Sequence, residues 1–116
     1  MIVQAHFCRD SEPAPHVGFR FPQPQSRAFL DDLIRTANRF TARPLGSING
    51  FVNSEQDILV LDVGNTRASK PDLIALGQYV ATQARLELKW LPEGSTTYTA
   101  VSISCDCNYD FDPNMN

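Results

Sequence analysis

The chain has 116 residues, 42% hydrophobic and 20% charged, and its 10 basic against 13 acidic side chains give a formal net charge of −3. These figures predict one globular domain over residues 1–116 and exclude a disordered chain. The small acidic excess, without a dense Lys/Arg stripe, argues against direct nucleic-acid binding, and no apolar run approaches the roughly 20 residues of a membrane span.

Ile2 to Cys8 alternates, with Val3, Ala5 and Phe7 on one side and Gln4, His6 and Cys8 on the other, as in a half-buried strand. The Pro- and charge-rich stretch from Arg9 to Pro15 reads as a loop, and Val17 to Phe21 as a short second strand stopped by Pro22 and Pro24. Ser26 is placed to cap a helix, because its hydroxyl accepts from first-turn amides that have no partner within the helix. Phe29, Leu30, Leu33, Ile34, Ala37 and Phe40 then recur at helical spacing. Arg27, Asp31, Asp32, Arg35, Asn38 and Arg39 are left for solvent, with Asp31 expected to pair with Arg35. Arg43-Pro44 ends this segment, since a residue before proline is pushed out of the helical region.

Ile48 to Val52 and Asp57 to Val63 flank the polar connector Asn53-Ser54-Glu55-Gln56 and predict a hairpin. Ile58-Leu59-Val60-Leu61 is apolar on both faces, which places it in the middle of a sheet or under a cover. After the turn Gly64-Asn65-Thr66, Ser69 and Asp72 form a capping-box pattern around Pro71. Leu73, Leu76, Val80 and Ala84 supply a second buried stripe. Gly77 within that helix costs about 1 kcal/mol relative to alanine, and close approach to the sheet is the expected compensation. Leu86, Leu88 and Trp90 alternate with Glu87 and Lys89. Pro92-Glu93-Gly94-Ser95 turns the chain, and Thr96 to Cys105 is expected to return as a last strand.

The chain therefore reads as a helix-plus-hairpin unit written twice after an opening strand, β-αββ-αββ with a ferredoxin-like type of pseudo-repeat. Two helices with one apolar face each must bury it on the sheet. The expected fold is an α+β two-layer sandwich, a mainly antiparallel sheet of about five strands with both helices on one face. Residues 106–116 follow as an acidic C-terminal tail carrying Asp106, Asp110 and Asp112.

Motifs that carry chemistry are fragmentary. Asp62-Val63-Gly64-Asn65-Thr66 resembles the Asp-x-Gly-Asn-Thr phosphate loop of the sugar kinase, heat-shock ATPase and actin superfamily. The resemblance implies a metal-handling aspartate and a glycine that lets backbone approach phosphate. Here the segment leads into a capped helix instead of a hairpin, and the chain is short for that superfamily's two lobes. A strand-ending turn is the expectation.

His6-x-Cys8 and Cys105-x-Cys107 are the zinc candidates, but the strand patterns point the two pairs to opposite faces. The alternation Asp106, Asn108, Asp110, Asp112 lacks the glycine of a calcium loop, having Phe111 in its place. No local signature joins Cys8 or Cys105 to His6 or His16 as a nucleophile pair. No metal and no cofactor is expected. Three cysteines, an odd count, and no charged-then-apolar leader pattern suit a cytosolic protein.

With helices on one face, the other would carry Ile2, Phe51, Ile58, Val60 and Tyr98 beside Gln4, His6, Glu87 and Lys89. The functional expectation is a non-catalytic protein-binding module, a small inhibitor or adaptor of the toxin-immunity or anti-defence type. It would occlude a partner surface through Ile2, Phe51, Ile58, Val60 and Tyr98 and through Asp106, Asp110 and Asp112. The expected partner is another protein, basic or nucleic-acid-binding, or a second copy paired through the open sheet face. The rival expectation is a small enzyme or ligand-binding domain with a polar site near His6 and Cys8 or near Asp62 and Asn65, or a small zinc protein.

Overall fold

A computed structural model describes residues 1–8 and 15–91, apart from the Cys8 side chain. In chain order the elements are β1 (Ile2–Cys8), β2 (His16–Arg20), α1 (Arg27–Asn38), β3 (Ile48–Val52), β4 (Ile58–Val63), α2 (Lys70–Ala84) and β5 (Glu87–Trp90). The strand expected from Thr96 to Cys105 and the acidic tail lie outside the described residues.

The five strands form one sheet in the order β3-β4-β2-β1-β5. All neighbours are antiparallel except β1 and β5, which run parallel. Two crossovers build it. β2-α1-β3 steps over β4 in one direction, and β4-α2-β5 steps over β2 and β1 in the other. Because β2 and β4 are antiparallel, right-handed crossovers in opposite lateral directions bring both helices to the same side. The packing agrees. Gly50, Leu61, Val17 and Phe7 lie in one row across four strands, and that row meets α1 at Ile34 and α2 at Gly77. The expected two-layer α+β sandwich is what the chain forms.

Both helix starts follow from local chemistry. The Ser26 hydroxyl accepts from the Phe29 N–H at 3.1 Å, and Ser69 and Asp72 make the reciprocal capping box, with Pro71 in the first turn. The surface pairs on α1 differ from the expected Asp31–Arg35. Arg27 pairs with Asp31 and Arg35 with Asp32, both exposed and worth little individually. Phe40 and Tyr79 stack at 5.0 Å where the two helices meet.

The core is the row structure of the helix-facing side, with Val3, Ala5, Val17, Phe19, Leu59, Leu61 and Val63 under Leu30, Leu33, Leu73, Leu76 and Val80. Two glycines set the helix-to-sheet distance. A Cβ on Gly77 would stand 2.7 Å from Trp90 Cη2 and 3.3 Å from Val17 Cγ1, and a Cβ on Gly50 would collide with the Ile34 side chain. The edge of β3 is partly closed from α1. Asn38 donates its Nδ2 to the Ile48 carbonyl at 3.0 Å and accepts the Ile48 N–H on Oδ1 at 3.2 Å, so a side-chain amide replaces one rung of a missing strand.

Two stability predictions follow from these contacts. Gly77→Ala gains about 1 kcal/mol of helix propensity but overpacks Trp90 at a cost of about 1–3 kcal/mol. Urea unfolding should show a net loss that Trp90→Leu in the same chain reverses in part, and stabilisation by Gly77→Ala alone would contradict the close approach. Asn38→Ala should lose about 1–2 kcal/mol by freeing both Ile48 backbone groups, and an unchanged urea midpoint would contradict that edge cap.

Candidate functional site

The sheet face turned away from the helices is read directly from the register. One row runs Asn49, Asp62, His16, Cys8; the next runs Phe51, Val60, Gly18, His6; the third runs Ile58, Arg20, Gln4, Lys89; and Ile2 beside Glu87 starts the last. His6, His16 and Asp62 thus lie toward one end of this face.

His6 and His16 stand edge to face with ring centroids 5.4 Å apart. The flanking bonds Val63 N–H to Pro15 C=O and Phe21 N–H to Asp57 C=O make His16 and Asp62 a non-hydrogen-bonded cross-strand pair, the type whose side chains lie closest. His6 and His16 are each 1% exposed and Asp62 8%. Asp62 Oδ1 is buried with no hydrogen-bond partner among the described residues.

Burial drives the electrostatics. Desolvation, with a smaller contribution from the charge of His16, lowers the His6 imidazole to about 3, so it is neutral at physiological pH. Desolvation raises the Asp62 carboxyl to about 6, into the range where a carboxyl exchanges protons near neutrality. Asp72 moves the other way, held below its ordinary range mainly by the Ser69 backbone and side-chain hydrogen bonds of the capping box. Local alternation gives the side that His6 faces, but setting His16 between His6 on one strand and Asp62 on the other depends on the β1-β2-β4 register, which no single segment encodes.

The phosphate-loop resemblance ends at the backbone. The Gly64 N–H donates to Ser47 C=O at 2.8 Å and the Asn65 N–H to Leu45 C=O at 2.9 Å, so the amides that would cradle a phosphate are spent on the chain itself. Asn65 closes the turn by accepting from the Arg67 N–H and donating to Pro44 C=O. This is the strand-ending turn expected, and Asn65 does not join Asp62. Among the described residues no group of three or more His, Cys, Asp or Glu is arranged to hold a metal ion. Cys105 and Cys107 lie outside them.

The expected docking residues divide. Ile2 is 57% exposed and Phe51 37%. Ile58 and Val60, expected to be open, are buried, Val60 completely. This corrects the picture of a continuous apolar surface: the centre of the face is closed and its apolar exposure lies at two separated margins. Tyr98, Asp106, Asp110 and Asp112 are outside the described residues. No helix among the described residues is long and apolar enough to cross a membrane. Comparison with known proteins finds no matching family model, no matching curated protein and no matching solved structure.

The cluster predicts opposed pH effects on stability. Unfolded His6 takes up a proton below its ordinary 6.5 while the folded form resists until about 3, so its contribution is complete above 6.5 and is lost as pH falls through that window. Folded Asp62 holds its proton up to about 6, against 3.8 unfolded, so its contribution is complete below 3.8 and is lost as pH rises through 6. Urea unfolding between pH 4 and 8 should show Asp62→Asn more stable than the parent chain at pH 8 by about 1–2 kcal/mol, with the gain gone at pH 4. His6→Gln should flatten the loss on the acid side. An Asp62→Asn effect of equal size at both pH values would contradict the buried carboxyl.

Proposed function

We propose that the protein is a non-catalytic binding module, a small inhibitor or adaptor that docks another protein through the sheet face opposite the helices and occludes a partner surface. One observation carries this. The titratable residues at the centre of that face, His6, His16 and Asp62, are closed to solvent, whereas Ile2 and Phe51 are the large apolar side chains left exposed on it among the described residues. A substrate does not reach sealed groups, but a partner surface reaches Ile2 and Phe51. Exposed apolar side chains at the two margins of a face suit a broad protein contact better than a small catalytic cleft.

From the sequence, Tyr98 and the acids Asp106, Asp110 and Asp112 extend the proposed contact, and their charge selects a basic or nucleic-acid-binding partner of the kind that immunity and anti-defence proteins occupy. Pairing with a second copy through the same face is the homodimeric form of the proposal. A second reading, a small enzyme or ligand site at His6 and Asp62, is favoured by the raised Asp62 carboxyl and its unpartnered Oδ1.

Affinity purification of the full chain from its native cells should recover a stoichiometric partner protein, or the chain should run at dimer mass. The double variant Ile2→Asp with Phe51→Asp should reduce recovery or dimerisation at least tenfold with unchanged thermal unfolding, while Arg39→Ala on the helix layer leaves it intact. A monomer with no stoichiometric partner, or a complex indifferent to the double variant, would contradict the proposal.

A further inference from the structure

The two edges of the described sheet are unlike. β5 carries Glu87 and Lys89, both exposed, and charged side chains along an edge discourage pairing with another chain. β3 reads Ile48-Asn49-Gly50-Phe51-Val52, with no charge and no proline, and it pairs with β4 in unbroken register. Hydrogen-bond alternation fixes which of its backbone groups face outward. The Gly64 N–H donates to Ser47 C=O just before β3 and the Asn53 N–H to Ile58 C=O just after it, so Ser47, Asn49, Phe51 and Asn53 are the residues that bond to β4. Ile48, Gly50 and Val52 therefore turn their N–H and C=O groups away from it. Those of Ile48 are taken by the Asn38 side chain. Those of Gly50 and Val52 have no hydrogen-bond partner among the described residues, and neither residue is closed to solvent.

An arriving strand gains two rungs here, and it is stopped by the Asn38 cap at one end and by the turn after Val52 at the other. β3 is itself such a strand. Run antiparallel to its own copy about a two-fold axis, it has one register that satisfies every free outward group on both chains. Gly50 of each chain exchanges both backbone bonds with Val52 of the other, and the two Phe51 residues face each other on the axis as a non-hydrogen-bonded pair, Cα atoms about 4.5 Å apart. The composition suits that register. Neutral residues oppose neutral residues from Ile48 to Ser54, Val52 lies beside a residue with no side chain to displace, and each Phe51, 37% exposed in the single chain, closes on the other.

We propose that two copies of this chain join edge to edge through β3, in the register that pairs Gly50 with Val52 and centres on Phe51, so that their sheets become continuous. The contact is made by main-chain groups in the plane of the sheet and goes beyond the face docking proposed above. It shares Phe51 with that face but not Ile2, which lies on β1 at the other margin.

Sedimentation equilibrium of the full chain should show a concentration-dependent approach to dimer mass, and the Gly50 and Val52 amide protons should gain protection from exchange as the dimer fills. Phe51→Lys and Phe51→Glu, at an exposed position, should each weaken dimerisation at least tenfold, because like charges then meet on the axis. An equimolar mixture of the two should dimerise at least tenfold more tightly than either alone, a recovery that requires position 51 to face itself. Ile2→Asp should change dimerisation less than twofold. A monomer at every concentration, a dimer whose Gly50 and Val52 amides exchange as freely as in the monomer, or a Lys and Glu mixture no tighter than its components would overturn the proposal. A dimer lost on Ile2→Asp would also overturn it, by assigning the contact to the sheet face, whereas a chain that recovers no partner protein yet keeps this edge dimer would remove the docking of another protein and leave the edge pairing intact.

Discussion

The burial of β4 on both faces is the constraint from which the rest of this molecule follows. Each residue from Ile58 to Val63 is buried, although alternate residues point to opposite sides of the sheet. Leu59, Leu61 and Val63 meet the helix layer, while Ile58, Val60 and Asp62 lie on the reverse. A strand apolar on both sides is stable only in the interior of a sheet with both faces shielded at that point, and β4 accordingly sits between β3 and β2. With β4 fixed there, the two crossovers leave in opposite directions and their helices share one side.

Shielding of the reverse side at β4 also sets the electrostatics of that face. The Asp62 carboxyl loses solvent there and shifts its proton affinity upward, and the His6 imidazole, edge to face with His16, is held neutral mainly by the same loss of water. Burying such groups costs folding free energy. Ile2 at one margin and Phe51 at the other stay exposed on this side of the sheet.

Much of the fold was legible locally. Ser26, and Ser69 with Asp72, announce helix starts through hydrogen bonds made within a turn, and Asn53 organises its hairpin by accepting the Asp57 and Ile58 N–H groups on Oδ1. The two-sided apolarity of Ile58 to Leu61 places β4 in the sheet interior, and the cost of Gly77 points to the close contact found with Trp90. What depends on distant pairing was not legible. The alternation that put Ile58 and Val60 on the reverse face was right about direction and wrong about exposure, because period two specifies a side and says nothing of what shields it. The meeting of His6, His16 and Asp62 requires the β1-β2-β4 register, which no single segment encodes.

The central claim is that the reverse face is closed at its centre and open at its margins, and side-chain footprinting with a photogenerated carbene tests it most directly. The account predicts strong labelling of Ile2 and Phe51 with protection of Ile58 and Val60 in the native chain. Labelling of Val60 comparable to that of Ile2 under native conditions would contradict it.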